Sequence, residues 1–403
     1  LLLGDSTSFA GGYFPKAYPL FLSRRESWPT GTKIINPSVA GFTSADARLY
    51  YKNYTASSKP PDIVIIMLGN CDACKTSTPK GRPGSLGQGV HKFITNYVAT
   101  KNHNLFIPNT FDAGFDASLE RPESIKDFST NLEWLVRQVA RDRALPVLVS
   151  PVANSEFIAG AGKGNFIFYR KFGLRRDLPD VAYRVPADLW EAIKACRQGN
   201  EDSAVKIYMK LKNGEGSAIE VPEIREIAAN NLAVLKAEGG DFAGGCSALS
   251  EQLEQSPIRP EIFRFNFARI QRACGDEITS STSFTEAFES DSTMYRIREP
   301  YRAVIEKTSH ESEDARFLDL KPHSTLDHML DHCHPNEEGQ KIWADAIAST
   351  IGDKLTGNSP ALLVNCPVTP EYGLGNKSEL ANFLFGDIAA DDKAQPTKIE
   401  RIS

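Results

Sequence analysis

Short apolar runs separated by amphipathic stretches make up the first part of the chain and predict alternating strands and helices. The apolar runs occupy residues 1–3, 33–36, 62–68 and 146–150. One helix face before the last run is outlined by Leu132, Leu135, Val136 and Val139. Strands that are apolar along their whole length are typical of a parallel sheet with helices on both faces. We therefore predict a doubly wound α/β fold.

The pattern changes between residues 186 and 276, where long helical periodicities occur without a convincing strand. Several residues match the spacing of a tetratricopeptide repeat, namely Leu232, Gly240, Asp241, Gly245, Leu249 and Pro257. A second Gly-Asp pair, Gly275-Asp276, follows the first after 35 residues, close to the period of that repeat. The pattern predicts an all-helical inserted subdomain of tetratricopeptide-like hairpins, with a plain helical insertion as the alternative.

The α/β pattern then resumes, with a last strand predicted at residues 316–320 and a closing helix at residues 337–351. We accordingly expect four segments. They are a first part of the α/β domain at residues 1–185, the helical insertion at 186–276, a second part of the α/β domain at 277–355, and a C-terminal extension at 356–403.

Composition narrows the classes of partner. The chain of 403 residues carries a formal charge of -5, which argues against sequence-independent nucleic-acid binding, because such proteins need a basic surface. The longest apolar run, residues 63–68, is too short to cross a bilayer. Seven irregularly spaced cysteines do not suggest a disulfide framework.

The chain starts without Met inside a predicted strand, so we expect an upstream signal or anchor and favour an extracytoplasmic or membrane-anchored location.

Two short motifs near the ends of the α/β pattern carry the candidate chemistry. Ser6 follows a predicted strand and Gly4, which we expect to allow a sharp turn. A serine hydroxyl needs a base and a group that orients the base, and Asp331 and His334 supply both within one loop. We predict Ser6 as nucleophile, His334 as general base and then acid, and Asp331 as its orienting partner.

Two further loops are candidates for stabilising an oxyanion. One is the stretch of residues 36–41, which ends in Gly41, and the other contains Asn70 and Cys71 after the strongest predicted strand. Both loops follow parallel strands, at the edge where open α/β sheets bind ligands.

These blocks, in this order, resemble the SGNH, or GDSL, hydrolase superfamily. They are Gly4-Asp5-Ser6, the stretch ending in Gly41, residues 69–72, and Asp331 with His334 and Pro335. The resemblance covers residues 1–185 and 277–352. It implies a flavodoxin-like three-layer α/β/α sandwich, ester hydrolysis without a metal or other cofactor, and an oxyanion hole formed by the Ser6 and Gly41 amides and an asparagine side chain.

The third block departs from the family pattern, which places its asparagine where this chain has Cys71. Either Asn70 enters the oxyanion hole, which we favour, or Cys71 occupies that corner as a weak thiol donor.

The same residues allow other interpretations. His328, Asp331, His332, Cys333 and His334, together with Cys71 and Cys74, resemble a metal site, but the triad accounts for Asp331 and His334 more simply. We expect a small acylated substrate, with short acyl groups on a carbohydrate or other small alcohol as the preferred target.

Two alternative functions remain open for this site. An acyltransferase that uses the same residues is the first alternative. The second is a helical-repeat binding protein on an inactive hydrolase fold, with a protein partner at the insertion.

Overall fold

The structure is a computed structural model that describes residues 1–9, 16–39, 42–73, 122–157, 166–169, 186–219, 222–257, 259–291, 296–329 and 332–365. The strands are β1 (Leu2–Gly4), β2 (Lys33–Asn36), β3 (Ile63–Met67), β4 (Leu145–Ser150), β5 (Arg316–Asp319) and β6 (Leu362–Asn365). The helices are α1 (Tyr18–Ser23), α2 (Ser44–Ser57), α3 (Pro122–Arg141), α4 (Ala187–Arg197), α5 (Glu201–Lys212), α6 (Pro222–Glu238), α7 (Phe242–Glu254), α8 (Pro260–Ala273), α9 (Glu277–Ser290), α10 (Glu299–His310) and α11 (Glu337–Ile351).

Four strands form a sheet in the order β1, β3, β4, β5, and all three pairings are parallel. Leu3 pairs with Ile66, and Leu148 pairs with Ile66 on one side and Phe317 on the other. In chain order, helix α3 lies between two neighbouring strands, β3 and β4. The predicted α/β class with a parallel sheet is therefore confirmed.

Both faces of the sheet are covered, which explains why its strands are apolar along their length. Leu3 and Ile66 point into one core, which they share with residues of α2, α3 and α10. Leu2 and Ile65 point to the opposite side, where they pack with α1 and α11. Alternate residues of one strand thus enter different cores, and every position of the central strands β3 and β4 except the first is buried.

A separate two-stranded parallel sheet lies near β1. It pairs β2 with β6, for example Ile34 with Leu363. The second strand comes from the predicted C-terminal extension, and the Ala361 amide also donates to the Ser23 carbonyl. Part of that extension is therefore integrated into the α/β domain.

The helices α4 to α9 pack in sequence order around a third core of their own. Gly240 and Gly275 lie at the ends of helices α6 and α8 and have positive φ angles. The aspartate after each glycine caps the next helix: Asp241 accepts from the Gly244 amide, and Asp276 accepts from the Thr279 amide. Helix α9 packs on α8 and contributes Phe284 to this core. The helical packing therefore continues beyond residue 276, where we expected the α/β domain to resume.

A short segment, Phe166 to Tyr169, is bound to these helices through its backbone. The Ile167 amide donates to Asn231 Oδ1 at 2.7 Å, and the Tyr169 amide donates to Asn266 Oδ1 at 3.0 Å. Asn231 and Asn266 are 35 positions apart, the same interval as the two Gly-Asp turns. Equivalent asparagines on successive hairpins thus hold alternate residues of one extended segment.

Candidate active site

Ser6 lies in a tight turn directly after β1. The Asp5 carboxylate accepts from the amide and from the hydroxyl of Thr7, at 2.9 and 2.8 Å, and closes this turn. The Ser8 hydroxyl bonds to the Tyr18 hydroxyl at 2.9 Å. Ser6 itself keeps partial solvent exposure, while its neighbours Asp5 and Thr7 are buried. The serine therefore stands on a rigid turn with its side chain accessible.

Gly4 permits a sharp turn because it has no side chain, rather than because of a left-handed backbone. It is not among the residues of this part of the chain with positive φ, so a left-handed backbone is not what demands glycine here. A Cβ at position 4 would lie 2.1 Å from the Ser8 Oγ atom and 2.6 Å from the Ser8 Cβ atom. The glycine allows the turn to fold back against the end of its own strand.

His334 lies beside Ser6. Its Nε2 atom is 2.8 Å from the Ser6 Oγ atom, although the residues are 328 positions apart. The His334 side chain is buried, with 7% of its surface exposed. If the Ser6 hydroxyl donates to Nε2, the ring proton lies on Nδ1, which leaves Nε2 able to accept the serine proton.

The loop that carries His334 is fixed on both sides. Met329 and Pro335 form an antiparallel bridge, and the Asn336 amide donates to the His328 carbonyl at 2.7 Å. On the other side, the His332 carbonyl accepts from the Asn154 amide at 2.9 Å. The loop is thus anchored before α11 begins, with the Asn336 side chain as the cap of that helix.

Three neighbouring residues of the same loop were also candidates. Cys333 is buried, and its Sγ atom is 3.6 Å from His334 Nδ1. The His332 ring packs against Phe157 and against the His334 ring, with centroids 5.7 Å apart in both cases. Asp331 lies outside the described residues, so its predicted place beside His334 stays a prediction.

The loop after β3 lies against Asp5. Asn70 is buried, and its Oδ1 atom accepts from the Ile297 amide at 2.8 Å. The Cys71 thiol faces the Asp5 carboxylate, with Sγ 3.9 Å from Oδ2. Gly41, the other predicted donor, lies outside the described residues. Of the predicted oxyanion-hole residues, the structure therefore describes Ser6, Asn70 and Cys71.

Two carboxylates near this loop have raised pKa values. Burial raises the pKa of Asp5, against the lowering effects of its Thr7 hydrogen bonds, the His334 charge and the Asn70 side chain. Burial also raises the pKa of Asp72 to about 7, although its hydrogen bonds from Ser44 lower it. Asp72 accepts from the Ser44 amide and hydroxyl at the first turn of α2.

Sequence reasoning identified the loop of residues 36–41 but not the residue that anchors it. The Asn36 Nδ2 atom donates to the Ser8 carbonyl at 2.9 Å, and its Oδ1 atom accepts from the Ser38 amide at 3.2 Å. Asn36 is buried and thereby joins this loop to the turn of Ser6. A polar residue closing an apolar strand was the only signal for this role.

The metal interpretation receives no support from the described residues, among which no group of three His, Cys, Asp or Glu side chains is arranged to hold an ion. Asp331 and Cys74, which that interpretation also used, lie outside those residues. Within the same part of the chain, no helix has the length and apolar character needed to span a membrane.

No family model, curated protein or solved structure matches the chain.

Proposed function

We propose that this protein is a serine hydrolase that cleaves carboxylic esters through an acyl-Ser6 intermediate. The observation that carries the proposal is the 2.8 Å contact between Ser6 Oγ and His334 Nε2. A nucleophile within hydrogen-bond reach of an imidazole is the first geometric requirement of this chemistry. The partial exposure of Ser6 and the burial of His334 fit a nucleophile that meets substrate beside a shielded base.

The reaction would proceed in two balanced steps. Ser6 Oγ attacks the acyl carbonyl carbon while its proton passes to His334 Nε2. The bond to the alcohol oxygen then breaks, and that oxygen takes the proton from Nε2. Water next attacks the acyl-Ser6 carbonyl and gives a proton to Nε2, which returns it to Ser6 Oγ as the acid leaves. Asp331 would hold the ring and stabilise its charged form.

The oxyanion would be held by the Ser6 and Gly41 amides and by the Asn70 side chain. Asn70 is favoured over Cys71 because the Ile297 amide occupies its Oδ1 atom, which leaves the Nδ2 group as the end available for donation. The Cys71 thiol instead faces Asp5. Each such donor is typically worth about 10²–10³ in rate.

For the α/β domain, we propose a flavodoxin-like three-layer α/β/α sandwich. The four-stranded order β1, β3, β4, β5 agrees with the last four strands of the order 2-1-3-4-5 found in that fold. In that fold, β2 would stand next to β1, and here it pairs with β6. In such folds, the substrate binds at the carboxyl ends of the strands, where Ser6 and Asn70 follow β1 and β3.

A small acetylated or short-acyl alcohol, such as an acylated carbohydrate, is the substrate class that we propose, by analogy with the family that the motifs resemble. Transfer of the acyl group to a carbohydrate hydroxyl would use the same acyl-Ser6 intermediate. The two activities differ only in the nucleophile of the second step, so the product distribution distinguishes them.

The proposal is tested by labelling and turnover together. A fluorophosphonate probe should label the wild-type protein at Ser6, and p-nitrophenyl acetate should be hydrolysed, while Ser6→Ala should lose both activities. A wild-type protein that neither reacts with the probe nor hydrolyses the ester would refute the proposal and favour a binding protein. Acyl transfer to added carbohydrate in preference to water would show that the protein is an acyltransferase rather than a hydrolase.

A further inference from the structure

We infer that the segment Arg296 to Arg298, which follows the helical insertion, positions the Asn70 side chain, so that the insertion sets the orientation of an oxyanion-hole donor. This inference rests on the proposed function. It assigns a role to the insertion within the α/β domain's own chemistry.

The contact at the centre is between the Ile297 main chain and the Asn70 side chain. The Ile297 amide can only donate, so the end of the carboxamide that meets it at 2.8 Å is the oxygen. The nitrogen must therefore face away from Ile297. This contact fixes the rotation of the Asn70 amide group, and both residues are buried.

The Nδ2 group of Asn70 is left with donor capacity. It is buried and makes no hydrogen bond within the described residues, while the Asn70 side chain lowers the pKa of the Asp5 carboxyl. A carboxamide nitrogen carries two protons, and under the proposed function a substrate oxygen bound at Ser6 would accept one of them.

Ile297 is held in place by a buried arginine on each side. Arg296 forms an ion pair with Asp291 at 2.8 Å, with both side chains fully buried, and its guanidinium lies over the Phe288 ring. Asp291 directly follows α9, the last helix of the insertion. The contacts of Arg296 therefore connect Ile297 to the end of the helical insertion.

The arginine on the other side binds the candidate oxyanion loop itself. Arg298 Nη2 donates to the Ala73 carbonyl at 2.9 Å, and the Ala73 amide donates to the Gly69 carbonyl at 2.9 Å. A Cβ at Gly69 would lie 2.8 Å from the Ile297 side chain, so the loop passes directly against it. The segment thus contacts the loop on both sides of Asn70.

Arg298 is therefore assigned as a positioning residue that acts through Asn70. A misplacement of a reacting or stabilising group by about 1 Å can lower the rate about 10²-fold without preventing substrate binding. Loss of the Arg298 contact should accordingly lower kcat for an ester and leave KM nearly unchanged.

The test is a double-mutant cycle of Arg298→Met and Asn70→Ala, with hydrolysis of p-nitrophenyl acetate as the readout. We expect Asn70→Ala to lower kcat about 10²-fold or more, and Arg298→Met to lower it about 10- to 10²-fold. In the Asn70→Ala background, Arg298→Met should cause no further loss, because its effect passes through the missing side chain. Arg269→Met is the matched control and should keep the wild-type kcat, because the native Arg269 Nε donates to the Tyr169 carbonyl, away from Asn70.

Equal losses from Arg298→Met in both backgrounds would overturn the inference and leave a general structural role. If Arg298→Met does not fold, Arg298→Lys replaces it, because a lysine can retain one donor to the Ala73 carbonyl. Its smaller loss in kcat must also vanish in the Asn70→Ala background. A wild-type protein without turnover or labelling refutes the proposed function and this inference with it, whereas an active wild type with additive losses refutes the inference alone.

Discussion

The Oγ atom of Ser6 and the Nε2 atom of His334 are 2.8 Å apart, which brings the turn after the first strand to the loop before the last helix. Each of these two loops is anchored by a hydrogen bond of its own. The Thr7 amide donates to the Asp5 carboxylate in the turn of Ser6, and the Asn154 amide donates to the His332 carbonyl in the loop of His334. The pair is therefore held by two independent loops, and each can be tested separately.

Replacement of the histidine should remove the base without disturbing the turn of Ser6. We expect His334→Ala to lower kcat for p-nitrophenyl acetate by roughly 10²–10⁴. The control is His332→Ala, which loses the ring contacts with Phe157 and with His334 but keeps the main-chain carbonyl that binds Asn154. This variant should stay near the wild-type kcat. Equal losses in the two variants would contradict the assignment of His334 as base.

Gly4 offers a test of the close packing behind Ser6. The Cβ atom introduced by Gly4→Ala would meet the Ser8 side chain at 2.1 Å, and Ser8 is itself bonded to Tyr18. We expect a loss of about 1–3 kcal/mol in the free energy of unfolding, measured in urea, because overpacking forces side chains out of place.

A second substitution should relieve the same strain. Ser8→Gly in the Gly4→Ala background removes the atoms that clash and should recover part of the lost stability, although it sacrifices the bond to Tyr18. Wild-type stability of Gly4→Ala alone would show that the turn does not need the close approach.

The parts of the fold that could be predicted are those in which burial or a helix end dictates the residue type. The strands were identifiable because both faces of the sheet are covered, so Ile65 and Ile66 are apolar although they face opposite cores. The Gly-Asp turns were identifiable because a left-handed helix end favours glycine and a helix start favours aspartate.

The parts that could not be predicted depend on main-chain groups, which every residue carries. Nothing in the sequence indicates that the Ile297 amide meets Asn70, because any residue except proline supplies that donor. The pairing of β2 with β6 likewise joins Ile34 and Leu363 by backbone bonds across most of the chain. The contact that excludes a side chain at Gly4 could not be predicted either, because it depends on where the Ser8 side chain lies.

Asp72 should make the stability of the protein depend on pH. Burial raises its folded pKa to about 7 from an ordinary value of 3.8, so between these values the folded state keeps a proton that the unfolded state has lost. The free energy of unfolding should therefore fall as pH rises from about 4 to about 7. Asp72→Asn retains an acceptor for the Ser44 amide and removes the titration.

The check is urea unfolding of both proteins at about pH 5 and about pH 8. Because Asp72 keeps some contact with solvent, we expect the wild type to lose about 1–2 kcal/mol more than Asp72→Asn between the two conditions. Parallel changes in the two proteins would show that Asp72 is ionised throughout this range.

The asparagines that hold Ile167 and Tyr169 should dominate the docking of their segment onto the helical insertion. Asn266 is fully buried, accepts from the Tyr169 amide, and donates to the Ile167 carbonyl at 2.9 Å and to Asn230 Oδ1 at 2.8 Å. Asn266→Ala leaves these buried groups without that partner, at a cost of about 1–3 kcal/mol for each group that stays unpaired.

We therefore expect Asn266→Ala to lower the free energy of unfolding by about 3 kcal/mol and to speed hydrogen exchange at the Ile167 and Tyr169 amides. Asn213→Ala, at an exposed helix end, is the control and should change stability by less than about 0.5 kcal/mol. The Asn230→Ala and Asn266→Ala effects should not add, because the two side chains share a hydrogen bond. Unchanged exchange at both amides would mean that the apolar side chains of the segment hold it in place, and that the repeated asparagines serve only the helices.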